Sequence, residues 1–91
     1  MQELNRIKRE KLRWACRRGM LELDLFLVPF FENAYETLTS EEQQYFSEML
    51  CHTDPELLSW FMGHEVPVNP NLQMITAKIR VFRRQYNATS L

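Results

Sequence analysis

Glycine and histidine are scarce in this sequence of 91 residues, which has two of each. A chain whose glycines are Gly19 and Gly63 has no glycine-rich loop of the kind that binds phosphate groups through its backbone. The histidines, His52 and His64, do not lie at a spacing typical of a metal site. A nucleophilic cysteine–histidine pair would need a third group and an oxyanion hole, and the sequence indicates neither. We therefore expect no catalytic residues and no metal site.

Long apolar runs and cysteine clusters are also lacking. The longest apolar stretch, residues 25–31, is interrupted by Pro29 and is far shorter than the roughly 20 residues that span a membrane. The N-terminal residues are charged at every second or third position and lack the apolar core of a signal peptide. Cys16 and Cys51 lie far apart, which is a poor pattern for a secreted disulfide scaffold. We expect a cytoplasmic monomer with free thiols and no membrane insertion.

Basic residues are absent from more than half of the chain. Residues 19–66 contain ten acidic residues and no Lys or Arg, whereas residues 1–18 carry seven basic residues and two acidic ones. Residues 67–91 carry four basic residues and no acidic one, so that the net charge is only −1 at pH 7. Such blocks indicate either a polarised surface that meets a complementary partner or basic helices packed beside acidic ones within the molecule.

Helical periodicity is the main pattern that the sequence does contain. A narrow apolar stripe among charged residues predicts a first helix over residues 4–18, followed by Gly19. Residues 20–36 are typical of a mostly buried second helix, which Pro29 kinks or ends. On this second helix Leu21, Leu25 and Val28 lie on one side, with Leu23, Phe26 and Phe30 nearby, so most of the helix is expected to be buried.

Three later helices begin at recognisable capping residues. Thr39 and Glu42 have the spacing of a capping box, in which each side chain accepts a hydrogen bond from the backbone of the other residue. Asp54 and Asn69 are each followed by a proline, so each offers an N-cap acceptor before a residue that has no N–H. The core positions of these helices are Tyr45, Phe46, Met49 and Leu50, then Leu57, Leu58, Trp60 and Phe61, then Leu72, Ile75, Ile79, Phe82 and Tyr86.

These five segments predict the fold class. No strand-like alternation competes with them, and the connections between them are short. We therefore expect an all-α protein, with residues 1–91 forming a single compact five-helix bundle. About residues 1–3 and 86–91 are expected to be flexible termini.

The stretch from residue 14 to residue 24 allows two interpretations. In the first, Gly19 ends the first helix, and the neighbouring charges favour the ends of two separate helices. In the second, the helix is continuous, with Arg18 and Glu22 one turn apart and Trp14 one turn before them. A glycine within a helix costs about 1 kcal/mol relative to alanine, and its missing side chain lets another backbone approach closely. The second interpretation therefore indicates a contact surface.

Arg18, Gly19 and Glu22 form an RGxxE motif, and this motif resembles that of the small FAD assembly factors of succinate dehydrogenase, the flavinator family. The resemblance covers nearly the whole chain, from about Leu4 to Phe82. In order and spacing it includes residues 14–20, 22–24, 29–32 and 54–55, and Leu58 and Trp60. One departure is Thr53, at a position where the resemblance leads us to expect a second acidic residue beside Asp54.

The resemblance implies a five-helix bundle that binds the flavoprotein subunit of succinate dehydrogenase, and also that of fumarate reductase. It implies that the protein promotes covalent attachment of FAD to a histidine of that client, as an assembly factor and not as an enzyme. FAD is then the cofactor of the client, and the factor itself binds no cofactor stably. The partner-binding residues that the resemblance and the local pattern indicate are Arg18, Gly19, Glu22, Trp14 and Arg17.

The basic first and last helices leave other classes of function open. If they were adjacent, they would form a positive face able to bind nucleic acid. The isoelectric point of about 6.1 and the lack of a base-reading motif count against this, so nucleic acid is not the expected partner. An antitoxin-like regulator that binds some other protein would use the same surface.

Overall fold

A computed structural model describes residues 2–90 of the chain and the side chains of residues 6–86. The helices are α1 (Gln2–Cys16), α2 (Leu21–Ala34), α3 (Ser40–Met49), α4 (Asp54–Phe61) and α5 (Pro70–Ser90), with a short 3-10 helix (Tyr35–Thr37) after α2. No strand occurs within residues 2–90, so the predicted all-α five-helix bundle is confirmed. The expectation of flexible termini falls partly outside the described residues and stays a prediction.

The starts of α3 and α5 agree with the capping residues that the sequence indicated. The hydroxyl of Thr39 accepts a hydrogen bond from the backbone N–H of Glu42 at 3.1 Å, and the Glu42 carboxylate accepts one from the N–H of Thr39 at 2.9 Å. At the start of α5, the side-chain oxygen of Asn69 accepts a hydrogen bond from the N–H of Asn71 at 2.8 Å. Both predicted starts are therefore confirmed.

The start of α4 differs from the prediction by one residue. Thr53, and not Asp54, is the N-cap, because Thr53 and Glu56 form both halves of a capping box. The backbone N–H of Thr53 donates to Glu56 Oε1 at 3.1 Å. Asp54 is the first residue of the helix, and its carboxylate is free for a contact with another part of the chain. Thr53, the residue at which the sequence departs from the resemblance, is thus the N-cap of α4.

Helix α2 lies at the centre of the bundle, where it packs against α1, α4 and α5. It continues through Pro29 to Ala34, so of the two predicted effects of Pro29, a kink or an end of the helix, the end is wrong. Phe30 and Phe31, which follow the proline, are both buried, and their packing keeps this part of the chain helical. The core side chains that are fully buried include Leu23, Leu27, Phe31, Phe46, Met49, Leu57, Ile75 and Ile79.

Helix α2 is buried along one stripe only, whereas the sequence predicted that most of the helix is buried. Leu21 and Leu25 are 69% and 41% exposed, whereas the side chains at residues 23, 27, 30 and 31 form the buried stripe. The helix has apolar residues on more than one face, and its periodicity alone does not decide which face the other helices cover. Leu21 and Leu25 are therefore left at the surface.

Ion pairs join the basic helices to the acidic middle of the chain. Arg9 of α1 pairs with Glu36, and Lys78 of α5 pairs with Glu42 at 2.6 Å. Helix α1 packs mainly against α2, whereas α5 packs against α2, α3 and α4, so the two basic helices are not a closely packed pair. In the pairs Arg9–Glu36 and Lys78–Glu42, basic helices contact acidic segments within the molecule, as the second interpretation of the charge blocks predicted. A nucleic-acid face would require α1 and α5 to pack closely side by side, and they do not.

Candidate functional site

The site lies at the junction between α1 and α2, where four residues separate the two helices. Helix α1 ends at Cys16, and Gly19 has a φ of +81°, a left-handed conformation that favours glycine over other residues. The continuous-helix interpretation was therefore wrong, and Arg18 and Glu22 do not stand one turn apart on one helix. The other interpretation, with two separate helices, is correct, although the first helix ends before Arg17 and Arg18.

The side chain of Arg18 turns into the molecule and fastens this junction to the α3–α4 connection. Its Nε donates to Asp54 Oδ1 at 2.8 Å, and its two terminal nitrogens donate to the carbonyls of Leu50 and His52 at 2.9 and 2.8 Å. Carbonyls at the end of a helix lack partners within that helix, so the guanidinium satisfies the carbonyl of Leu50, the C-cap of α3, and that of His52 in the connection that follows. With 18% of its side chain exposed, Arg18 presents little surface to a partner.

The two acidic residues in the first turn of α2 have different surroundings. Asp24 accepts a hydrogen bond from the backbone N–H of Arg18 at 2.9 Å, which closes the turn. Glu22 is exposed, and its carboxylate contacts no hydrogen-bond donor among the described residues. Glu22 is thus the residue of the RGxxE motif whose charge is available to a partner.

The exposed residues around this turn form what we term the junction surface: Trp14, Arg17, Gly19, Leu21, Glu22 and Leu25. Trp14 is 72% exposed, and a Cβ built on Gly19 would meet no atom within 4 Å. An exposed tryptophan and two exposed leucines beside an unobstructed glycine are typical of a protein-binding surface. Leu21 and Leu25 were not among the partner-binding residues that the sequence indicated. The signal that could have found them is that α2 has more apolar positions than one buried face requires.

The structure brings four of the five predicted partner-binding residues to this surface and turns the fifth, Arg18, inward. Trp14 and Arg17 lie on the α1 side of Gly19, and the N–H of Arg17 donates to the carbonyl of Trp14 at 3.1 Å. Glu22 lies on the α2 side. The arrangement can receive a polypeptide segment that covers the apolar side chains, approaches the backbone at Gly19 and contacts the Glu22 carboxylate.

Neither cysteine is in a disulfide, as predicted. Burial raises the pKa of Cys16 to about 12, an effect that the nearby Arg18 only partly offsets. The thiol of Cys16 therefore stays protonated at neutral pH and cannot act there as a nucleophile. Cys51 is exposed, and its thiol donates weakly to the carbonyl of Ser47 at 3.6 Å.

His52 lies just before α4 and contacts Glu56 and Trp60 of that helix. His52 lies 3.4 Å from the Glu56 carboxylate and 4.8 Å from the ring of Trp60, measured between ring centroids. Within the described part of the chain, no group of three or more His, Cys, Asp or Glu side chains is placed to hold a metal ion. No helix there is both long enough and apolar enough to cross a membrane.

The chain matches known proteins over a range that includes every residue of the junction surface. Residues 10–83 match the family model described as flavinator of succinate dehydrogenase. The chain is 44% identical over 82 residues to the FAD assembly factor SdhE of Colwellia psychrerythraea, a match that covers 86% of this chain and 90% of the relative. It is 49% identical over 70 residues to the protein of the same name from Shewanella oneidensis, covering 77% and 85% of the two chains. For the Photobacterium profundum protein the identity is 44% over 79 residues, with 87% and 90% covered.

Proposed function

This chain belongs to the family of flavinators of succinate dehydrogenase, and from that premise we propose that it binds the flavoprotein subunit of this enzyme and promotes covalent attachment of FAD to it. The same chemistry would serve the flavoprotein subunit of fumarate reductase. The observation that carries the proposal is the junction surface, where exposed apolar side chains surround an open glycine and a carboxylate that has no partner among the side chains of residues 6–86. This surface lies within the residues that match the family model.

The chemistry of attachment belongs to the client and its flavin in this proposal. Flavins supply their own redox and electrophilic chemistry, and a protein contributes binding and orientation. This chain holds the flavin-binding part of the client so that a client histidine lies against the flavin ring, which lowers the entropic part of the barrier. It acts as an assembly factor without a catalytic residue of its own, and FAD remains the cofactor of the client.

Within the junction surface, each group has a separate role. Trp14, Leu21 and Leu25 supply apolar area that the client covers, and Gly19 admits the client backbone to close range. Glu22 accepts charge-assisted hydrogen bonds from the client, since no donor in the described part of the chain competes for its carboxylate. Arg18 is a positioning residue, because its guanidinium holds the turn that presents these groups.

The first prediction concerns Glu22 and measures flavin attachment directly. In a reaction with apo-flavoprotein subunit and FAD, Glu22→Ala should lower the rate of covalent attachment about tenfold, since one charge-assisted hydrogen bond contributes about 1.5–3 kcal/mol. In-gel flavin fluorescence of the client measures the product. Glu32→Ala is the matched control, because Glu32 is an exposed acidic residue of the same helix.

The two possible failures of this experiment have different meanings. If Glu22→Ala supports attachment at the wild-type rate, the assignment of the junction surface as the client site is overturned. If wild-type protein does not raise attachment above the rate without any factor, the proposed function itself is wrong. Circular dichroism of both variants should match the wild type, because neither side chain contacts the core.

A further inference from the structure

A second surface feature, separate from the junction surface, lies between α1 and α3. Two adjoining cavities of about 610 and 520 Å³ form one groove there. They share the lining residues Lys8, Leu12, Tyr35 and Gln43, so the groove is continuous. We term it the α1–α3 groove. The contacts that hold α1 in place are made mainly with α2, which leaves this side of α1 open.

The two walls of the α1–α3 groove differ in charge. The α1 wall presents the ammonium groups of Lys8 and Lys11, which form no ion pair with any residue whose side chain the structure describes. The α3 wall is polar and uncharged and consists of Ser40, Gln43, Gln44 and Ser47. The acidic residue that lines the groove, Glu36, already pairs with Arg9. The groove is therefore a cationic site in which Lys8 and Lys11 have no ion-pair partner among the side chains of residues 6–86.

Leu12, Ala15 and Tyr35 add apolar surface between these walls. The amide of Gln43 donates to the carbonyl of Tyr35, and the hydroxyl of Ser47 donates to the carbonyl of Gln43. An extended polypeptide still fits this combination, because its backbone groups can pair with the hydroxyl of Ser40 and with the side-chain oxygens of Gln43 and Gln44. Its side chains alternate in direction at about 3.3 Å per residue, so every second side chain can face α1. The long, flexible lysine side chains can follow that spacing and pair with carboxylates.

We propose that the α1–α3 groove binds an extended acidic segment of the client, with Lys8 and Lys11 pairing with its carboxylates. The identity of the client rests on the proposed function, whereas the acidic character of the bound segment rests on the groove alone. The groove supplies a second point of attachment, apart from the junction surface. Two linked contacts raise the overall affinity above that of either contact alone.

A nucleic acid fits the groove less well than an acidic polypeptide. Proteins that bind single-stranded nucleic acid place bases on exposed aromatic rings in addition to neutralising phosphates. Tyr35 is the aromatic residue that lines the described groove, and its ring already packs against Phe31 and Phe46, with centroid distances of 4.9 and 5.5 Å. The uncharged α3 wall also offers no cation to a second row of phosphates.

The direct test uses a peptide probe and does not need the client. A blocked ten-residue peptide of alternating glutamate and serine is titrated into the ¹⁵N-labelled full chain at low salt, and a glutamine–serine peptide serves as its control. We expect saturable shifts at backbone amides of residues 8–15 and 40–47 with the glutamate peptide only. Shifts that are absent, that lie mainly on α5, or that are equal for both peptides would overturn the proposal.

Matched charge variants separate the groove from general electrostatics. Lys8→Gln/Lys11→Gln should weaken peptide binding about fivefold, the effect of losing two exposed ion pairs. Arg83→Gln/Arg84→Gln removes the same charge from α5 and should change the affinity less than about twofold. Equal losses in the two double variants would overturn the proposal. The proposal would also be overturned if a ten-nucleotide thymidine strand bound more tightly than the glutamate–serine peptide and this binding depended on Lys8 and Lys11. The groove would then be a nucleic-acid site.

The client assay distinguishes this inference from the proposed function. With the flavoprotein subunit, Lys8→Gln/Lys11→Gln should raise the dissociation constant about fivefold and reduce its dependence on salt. If the groove binds the peptide but the wild-type chain does not promote flavin attachment, the proposed function fails and the groove inference stands. If attachment is normal and the lysine variant binds client and peptide like the wild type, the groove inference fails alone.

Discussion

Arg18 determines the geometry of the turn that carries the junction surface. Its guanidinium reaches the Asp54 carboxylate and the carbonyls of Leu50 and His52, which lie 32 to 36 residues further along the chain. The motif indicated that Arg18 matters, but contacts over such separations leave no local pattern in the sequence. An arginine beside Gly19 is equally compatible with an outward side chain, so only the packed structure distinguishes a contact residue from a positioning residue.

We expect Arg18→Ala to destabilise the protein by about 2–3 kcal/mol, because it leaves two carbonyls and a half-buried carboxylate without their donor. Urea unfolding followed by circular dichroism measures this loss. Arg18→Lys keeps the charge but cannot donate in three fixed directions, so it should restore less than half of the lost stability. Wild-type stability of Arg18→Ala together with lost client binding would indicate a direct contact and contradict the positioning role.

Gly19 combines a backbone requirement with an open surface, and two substitutions separate these roles. Gly19→Ala should cost about 1–2 kcal/mol, because alanine is strained at a φ of +81° although its Cβ would meet no atom. Gly19→Asn tolerates a left-handed conformation better and should be more stable than Gly19→Ala. If the client approaches Gly19 closely, the Gly19→Asn variant, with its larger side chain, should nevertheless bind the flavoprotein subunit more weakly than the Gly19→Ala variant. Calorimetry measures both affinities. Client binding by Gly19→Asn that equals that of the wild type would contradict this contact.

At the scale of the helices, local contacts determine the starts, and the sequence predicted two of the three capped starts correctly and placed the N-cap of α4 one residue too late. The starts of α3 and α5 were predicted correctly, because a cap is formed by residues two or three positions apart. The extent to which α2 is buried was predicted wrongly, because α1, α4 and α5 determine which of its apolar residues are covered. Leu21 and Leu25 are left exposed by that choice, and they are also the apolar residues of the candidate site that sequence reasoning missed.

Helix α4 allows the revised cap assignment to be tested. Thr53→Ala should lower the free energy of unfolding by about 1 kcal/mol, because it removes the hydroxyl that accepts from the N–H of Glu56. Thr53→Ser keeps that hydroxyl and should lose less than about half as much. The midpoint of urea unfolding measures both variants. If Thr53→Ala did not change the free energy of unfolding, Asp54 would be the N-cap instead. Its carboxylate would then not be free to pair with Arg18.

At the scale of the whole molecule, the charge blocks have two uses. Some of the charges hold the bundle together, as in the pairs Arg9–Glu36, Arg18–Asp54 and Lys78–Glu42. Others, such as Glu22, Lys8 and Lys11, have no internal partner in the part of the chain that the structure describes. The sequence predicted the segregation of charge, but it could not assign each charge to one use, because the partners of α1 and α5 come from distant segments.

One of these pairs, Lys78–Glu42, and the capping contact of Glu56 make the stability of the bundle depend on pH. The Lys78 ammonium, followed by the backbone of Thr39, holds the pKa of Glu42 below its usual value of 4.5, and the Thr53 backbone does the same for Glu56. A carboxyl whose pKa is lower in the folded state stabilises that state above its unfolded pKa and loses this effect as the pH falls through the folded pKa. The urea midpoint should therefore be nearly constant from pH 7 to about 5.5 and should decrease when the pH is lowered below about 4.5.

Glu42→Gln should reduce this decrease in the urea midpoint. Glu41→Gln, which changes an exposed neighbour in the first turn of α3, should leave it unchanged. An equal fall in both variants and the wild type would show that the Lys78–Glu42 pair does not couple α3 and α5.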